Sequence, residues 1–511
     1  MKRGKPIPVV DIFAGAGGLG DGFEAYARGQ GTHGAFTVSL SAEMDRHAVQ
    51  TLRTRAFYRS FSASEVPGSY YSYAAGRRDV PWTDETRDVW LRAGERACQL
   101  KLGEPEDDRV LDARIGQIAA DARRDEIPWV LIGGPPCQAF SLVGRARNRG
   151  IKEYDPKNDD RHYLYQHYLK IISRHRPAAF VLENVKGMLT SEIEGHNLFT
   201  EIFESLHQPG GKGGPRYRIV PLVRPEGQVD RELQPRDFIV RSEELGLPQT
   251  RHRVVLIGIL ESLGRDIAQI TKSGMTPSVQ DMIGGLPEIR SGATDTDIPS
   301  WKKFAPKLLA ECAKLAKEVD GNTAQRLKHV AAMTDIGEDL GIGERWMPRS
   351  YLPKLPAHLD DFIRDPRLHG VINHQARSHM RSDLLRYAFA AAFAQVHGRS
   401  PRGAQEFPEE LHPAHKSWGR SDRFVDRFKV QRAGAPSSTI TSHLAKDGHY
   451  FIHYDPAQVR SLTVREAARL QTFPDNYIFE GPAGAQRRQV GNAVPPWLGY
   501  QIAGAIYEAL K

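Results

Sequence analysis

The chain has 511 residues, 40% hydrophobic and 26% charged, with a formal net charge of +8, a balance that suits two or three globular domains and favours a polyanionic partner. No apolar run of about 18 residues is present, which argues against a membrane span. The three cysteines, Cys98, Cys137 and Cys312, are too scattered for a disulfide framework or a zinc site, so no metal is expected and a reducing cytoplasm is.

The basic start Met1-Lys2-Arg3-Gly4-Lys5-Pro6 leads into an apolar stretch broken at Asp11, which predicts a first strand over residues 8–13 rather than a signal peptide. The strand runs into Gly15-Ala16-Gly17-Gly18-Leu19-Gly20, and a helix begins near Gly22. Glycines there allow positive φ and close approach of a ligand. Their spacing satisfies the dinucleotide fingerprint, which leaves NAD, FAD, a nucleoside or a plain strand–helix turn open. A second strand over 36–41 ends at Ala42-Glu43, where a carboxylate can accept ribose hydroxyls. Residues 59–127, charged and Tyr-rich near Ser69 to Tyr73, read as an insertion.

The apolar run Trp129-Val130-Leu131 opens Ile132-Gly133-Gly134-Pro135-Pro136-Cys137-Gln138-Ala139-Phe140-Ser141. A buried strand ends at a Gly-Gly turn, and two prolines stiffen the chain that follows. In open α/β sheets ligands bind at the carboxyl ends of strands, so Cys137 is a candidate nucleophile; the alternative is a buried, inert thiol. Gly144-Arg145-Ala146-Arg147-Asn148-Arg149-Gly150 suits a loop that closes over a phosphate backbone, or a merely solvated one. A helix is predicted over 163–173 and a strand over 177–182, which delivers Glu183-Asn184-Val185 to the same sheet edge as Cys137. Strands over 216–223, 237–240 and 253–260 complete a doubly wound α/β pattern.

Residues 261–430 scatter Pro, Gly and charge, with helices predicted over 301–319 and 381–396. Within them 373–381 is rich in groups able to read base edges or hold phosphates, or to form a polar helix approach. Residues 439–442 and 449–453 read as strands, and 497–510 as a final helix.

Together these segments resemble the DNA (cytosine-5)-methyltransferase family over about 300 residues split between both ends. Asp11-Ile12-Phe13-Ala14-Gly15-Ala16-Gly17-Gly18 is similar to its first motif, Gly134-Pro135-Pro136-Cys137 to its nucleophile segment, and Glu183-Asn184-Val185 to its Glu-Asn-Val motif. Gln249-Thr250-Arg251-His252-Arg253 resembles its Gln-x-Arg-x-Arg motif, residues 460–474 its ninth, and Gln489-Val490-Gly491-Asn492-Ala493-Val494-Pro495-Pro496 its last. Two departures stand out. The acid that commonly follows the third strand to hold adenine is not located, with Asp107, Asp108 and Asp112 as candidates, and no Asp precedes the Gly-Pro-Pro-Cys segment.

The resemblance implies a Rossmann-like doubly wound methyltransferase domain over 1–260, a second, smaller target-recognition domain over 261–432, and a return to the first over 433–511. It implies methyl transfer from S-adenosylmethionine to C5 of cytosine in double-stranded DNA. Cys137 would add to C6 of a flipped-out base, Glu183 would hold N3, and Arg251 and Arg253 would supply positive charge. Phe13, Gly15, Gly17, Gly18, Glu43, Pro135, Asn492 and Val494 would hold the cofactor, and Gln138, Ser141, Arg145, Asn184 and Gln249 the substrate. The final helix is expected to pack on the first domain, bringing Asn492 and Val494 to the cofactor. The expected setting is the bacterial cytoplasm, in a restriction-modification or phage-defence system with cognate partner proteins. A tRNA methyltransferase and a catalytically silent DNA-binding regulator are the alternatives. The long middle region argues for DNA, and the intact Cys137 and Glu183 argue against the silent regulator.

Overall fold

An apolar strand, β1 (Ile7–Ile12), is buried at every position but Pro8 and sits near the middle of an eight-stranded sheet. The computed structural model describes residues 5–29, 34–135, 164–193, 196–223, 232–336, 338–349, 353–414, 418 and 426–511. From β1 the chain passes through α1 (Gly18–Gly29), β2 (Phe36–Glu43) and α2 (Arg46–Arg59), the last capped by Asp45 accepting from the His47 and Ala48 N–H groups. With β3 (Ala97–Gln99), β4 (Val130–Gly133) and β5 (Ala179–Val185), the sheet order is β3–β2–β1–β4–β5, followed by strands His252–Leu260 and Tyr217–Val220, with Ile239–Arg241 also paired to His252–Leu260. β1 to β5 run parallel and His252–Leu260 runs antiparallel to its three neighbours. The order reverses between β1 and β4 (Val130–Gly133), so a crevice opens at their carboxyl ends. This is the Rossmann-like doubly wound fold that the strand–helix alternation predicts.

Alternating side chains divide the sheet between two cores. Val10, Ile12, Leu131 and Phe180 pack with Leu111, Ile115, Tyr168 and Ile172 on one face. Val9, Val130, Ile132 and Val181 pack with Leu19 and Phe23 of α1 and Leu498, Ile502 and Ile506 of the helix Pro496–Leu510 on the other. A Cβ on Gly22 would lie 2.3 Å from the Pro496 carbonyl oxygen and 2.4 Å from the Tyr500 nitrogen, so the two helices meet backbone to backbone.

Residues 59–127 differ from the expected insertion. α3 (Gly68–Ala74) and α4 (Arg87–Arg96) lie off the sheet, but β3 (Ala97–Gln99) is its edge strand and α5 (Pro105–Arg124) contributes to its core. Three residues, Ala-Cys-Gln, carry too short a pattern to mark a strand.

A separate core gathers Trp301, Leu308, Leu327, Leu384, Phe389 and Phe428 around the helices Trp301–Ala316, Gly321–Ile336 and Arg381–His397. The expected strands over 439–442 and 449–453 are instead the tight 3₁₀ turns Ser442–Ala445 and His449–Phe451, closed by local bonds such as Leu444 N–H to Thr441 O at 3.0 Å. Within the polar run 373–381, Asn373, His374 and His379 are interior groups. Asn373 is 7% exposed, His374 0% and His379 5%. His374 is held between Thr463 Oγ1 at 3.0 Å and the Pro287 carbonyl at 2.8 Å, and His379 Nε2 lies 3.1 Å from Ser461 Oγ.

Burial pushes His374 down to about 4 and His379 to about 3 from an ordinary 6.5. In that window the unfolded chain binds protons that the folded chain does not, so stability rises with pH. Melting temperature should therefore fall as pH drops from about 6.5 toward 4, with a loss on the order of a few kcal/mol. A melting temperature unchanged across that range would contradict it.

Candidate active site

The crevice at the carboxyl ends of β1, β2 and β4 is lined first by the glycine loop. Phe13, at φ +56°, turns the chain out of β1, and Gly15 and Gly17 follow at +57° and +78°. A Cβ on Gly15 would meet nothing within 4 Å, whereas one on Gly18 would lie 2.0 Å from the Val494 carbonyl oxygen. The loop is thus open on one side and closed by the C-terminal segment on the other. Tyr477 tightens that closure by donating to the Ala16 carbonyl.

Glu43 ends β2 against this loop. Its Oε2 accepts from the Gly15 N–H at 2.8 Å, and its Oε1 from the Met44 and Asp45 N–H groups, both at 2.9 Å. Burial raises its pKa and the three backbone donors oppose the rise. A carboxylate offers about four acceptor positions, so roughly one is left for a ligand. Behind it, Asp11 is 2% exposed, with the Gly20 backbone donating toward its carboxyl group. Burial, and then the Glu43 charge, push Asp11 well above the usual carboxylate range. Register places Gln99, the last residue of β3, opposite Glu43, and its Nε2 donates to the Met44 carbonyl at 3.2 Å. Asp107 and Asp108 instead accept from the Lys101 and Gly103 N–H groups, and Asp112 pairs with Arg174 and His175.

The second wall is β5 (Ala179–Val185). Glu183 Oε1 lies 3.0 Å from Arg253 Nε, and both side chains are largely buried. Register explains the meeting: Arg253 pairs with Val185 and Val255 with Glu183 across antiparallel strands, so these side chains are diagonal neighbours. A Cβ on Gly134 would fall 3.1 Å from Glu183 Oε2, and Asn184 Nδ2 donates to the Pro135 carbonyl at 3.3 Å. Gly134 and Pro135 are therefore seated against Glu183 and Asn184. Cys137, Gln138, Ser141 and Arg145 themselves lie outside the described residues.

Three expected site residues sit elsewhere. Asn184 faces protein rather than substrate, since its amide holds Pro135 and its carbonyl accepts from the Val185 N–H. Gln249 is 0% exposed and bonds the Leu470 carbonyl, Gln471 Oε1 and the Ile440 N–H. Arg251 is 2% exposed and donates to the Ile440 carbonyl at 2.9 Å, so of the two motif arginines it is Arg253 that meets Glu183. An unbroken strand would turn 249, 251 and 253 to one face, but the chain leaves strand geometry at Arg251, between the strands Gln249–Thr250 and His252–Leu260, and the split follows from that interruption. Asn492 is exposed at the end of the helix Ala483–Asn492, and Val494 lies on Gly18.

This arrangement fits one family. Residues 109–508 match the model of the C-5 cytosine-specific DNA methylases. The chain belongs to that family. It is a DNA (cytosine-5)-methyltransferase, and enzymes of the family take their methyl group from S-adenosylmethionine. Among curated relatives it is similar to the Type II methyltransferase M.Bpa9945I of Bacillus paralicheniformis, with 32% identity over 98% of this chain and 99% of that one. It is also similar to the DNA (cytosine-5-)-methyltransferase M.ApeKI of Aeropyrum pernix, with 28% identity over 75% of this chain and 81% of the relative. A crystal structure described as a DNA modification methyltransferase encoded within an E. coli prophage shares the fold, with a TM-score of 0.54 and 20% identity over 99% of each chain. Among the described residues of the methyltransferase no helix is long and apolar enough to cross a membrane.

Gln249→Ala tests the interior role given to this motif residue. It leaves the Ile440 N–H and Leu470 carbonyl without buried partners, a cost of about 1–3 kcal/mol for each such group. A clear drop in melting temperature is expected, with unchanged salt dependence of DNA binding. A stable variant with weakened DNA contacts would reverse the assignment.

Proposed function

We propose that the methyltransferase modifies C5 of cytosine in a specific duplex sequence by adding Cys137 to C6 of a base turned out of the helix. The observation that carries this reading is the seating of Gly134 and Pro135 against Glu183 and Asn184, which sets the chain leading to Cys137 beside a carboxyl group paired with Arg253. C5 is a weak nucleophile until a thiolate adds at C6 and makes it enamine-like. As that bond forms, negative charge gathers on the ring, and a proton held by Glu183 at N3 stabilises it. Arg253 orients the Glu183 carboxyl and keeps the site positive. The other two cysteines suit this chemistry less. Burial pushes both thiols up, and Cys98 Sγ donates to the Glu95 carbonyl at 3.4 Å.

The open face of Gly15 beside the unfilled acceptor position of Glu43 fits S-adenosylmethionine, which would supply an electrophilic methyl group. Glu43 would accept from the ribose, Phe13, Gly15, Gly17, Gly18 and Val494 would shape the cradle, and Pro135 and Asn492 would flank it. Gln99 stands opposite Glu43, where an adenine-binding acid is otherwise expected, and its amide oxygen offers an acceptor. Residues 261–432 would choose the sequence, and Gln138, Ser141 and Arg145 would meet the DNA. Relatives such as M.Bpa9945I are Type II methyltransferases, which supports a bacterial role in protecting host DNA beside a cognate nuclease or defence protein.

Two variants separate chemistry from cofactor binding. Cys137→Ala should abolish transfer of labelled methyl groups while leaving cofactor affinity intact. Glu43→Ala should weaken that affinity about tenfold or more in calorimetry, because a charged acceptor and the anchor of Gly15 are lost together. Wild-type transfer by Cys137→Ala, or wild-type affinity in Glu43→Ala, would remove that residue from its role.

A further inference from the structure

Most buried arginines of the C-terminal half have evident partners. Arg460 makes a bidentate pair with Glu466 at 2.7 and 2.6 Å, Arg469 does so with Asp475 at 2.8 and 2.7 Å, and Arg465 donates to three carbonyls. Arg487 differs. It is 8% exposed, and its Nε is buried with no hydrogen-bond partner among the described residues. The charged neighbour that acts on it is another cation, Arg377, which itself donates to the Leu444 and Lys446 carbonyls. Burial, and then the Arg377 charge, lower the Arg487 guanidinium to about 10. A buried charge with no opposite charge among the described residues is costly to the folded chain, and an anion brought to it would offset that cost.

The position narrows the choice of anion. Arg487 lies on the helix Ala483–Asn492, which packs against the turn Ser442–Ala445: a Cβ on Gly491, one turn further on, would lie 2.3 Å from the Thr441 carbonyl oxygen. On the preceding residue, Gln486 Oε1 accepts from Asn373 Nδ2 at 3.3 Å, which brings in the strand Gly370–Gln375. Arg377 follows that strand, so the two cations bridge a proposed sequence-reading region and the helix that ends at Asn492. We propose that Arg487 and Arg377 together bind one backbone phosphodiester of the substrate DNA. A planar guanidinium fork suits a phosphate oxygen pair, and such a contact fixes register without reading sequence. The proposal rests on duplex DNA being the substrate.

The test uses the full chain and a duplex bearing the sequence that bisulfite mapping shows to be methylated. Binding is measured against salt concentration for wild type, Arg487→Met and Arg487→Lys, and repeated on duplexes with a single neutral methylphosphonate at successive positions. Each phosphate contact contributes about 0.9 to the slope of log K against log salt. Arg487→Met should lower that slope by about 1, Arg487→Lys should keep most of it, and one methylphosphonate position should weaken wild type but not Arg487→Met. Free Arg487→Met should melt at or above the wild-type temperature, since an uncompensated charge has been removed. An unchanged slope and methylphosphonate profile in Arg487→Met would overturn the site alone. Lost S-adenosylmethionine affinity with an unchanged slope would give the anion to the cofactor and also overturn it. Wild type that binds no duplex DNA would overturn the substrate reading, and the site with it.

Discussion

The close approach of the two ends of the chain is the constraint on which the site depends. The Val494 carbonyl sits where a side chain at 18 would begin, and the Pro496–Tyr500 backbone does the same at 22. Only glycine permits either contact. Through them the last helix completes one face of the sheet and the last motif closes the loop after β1. The loop's remaining opening then faces Glu43, so a cradle at the switch point is assembled from residues nearly five hundred positions apart.

A buried polar junction transmits this arrangement to the rest of the molecule. Gln249 ties the strand before Arg253 to Ile440, Leu470 and Gln471, and Gln471 reaches the Val490 carbonyl at 2.7 Å. Arg465 fixes Ile372, Pro474 and Tyr477, and Tyr477 returns to Ala16. Breaking one member of such a network leaves several buried groups without partners, so its cost exceeds that of a single bond. The ninth motif is therefore a framework for the glycine loop rather than a set of ligand contacts. Arg487 stands apart from this framework: it is buried like the others, yet its Nε has no hydrogen-bond partner among the described residues.

Much of the sheet was legible because long buried strands carry apolar runs such as residues 254–260, and because the glycine loop and Glu43 stand at spacings with a mechanical reason. β3 was not legible, since three residues give no periodicity, and the partner of Glu43 across it, Gln99, was hidden with it. Polarity was ambiguous along 373–381, where His374 and His379 are satisfied in the interior by Thr463 and Ser461. It misled at Gln249 and Arg251 for the same reason. A motif records that residues are needed together, and it does not say which of them touch the ligand.

The proposed chemistry turns on the segment seated on Glu183 and Asn184 presenting Cys137 to C6 of cytosine. Incubation with cofactor and a duplex carrying 5-fluorocytosine at the target should halt the reaction as a covalent adduct, because fluorine cannot leave as a proton does. Digestion and mass spectrometry of that adduct should find the nucleotide on the peptide containing Cys137. An enzyme that methylates ordinary cytosine yet forms no adduct, or one that carries it on Cys98 or Cys312, would contradict this mechanism.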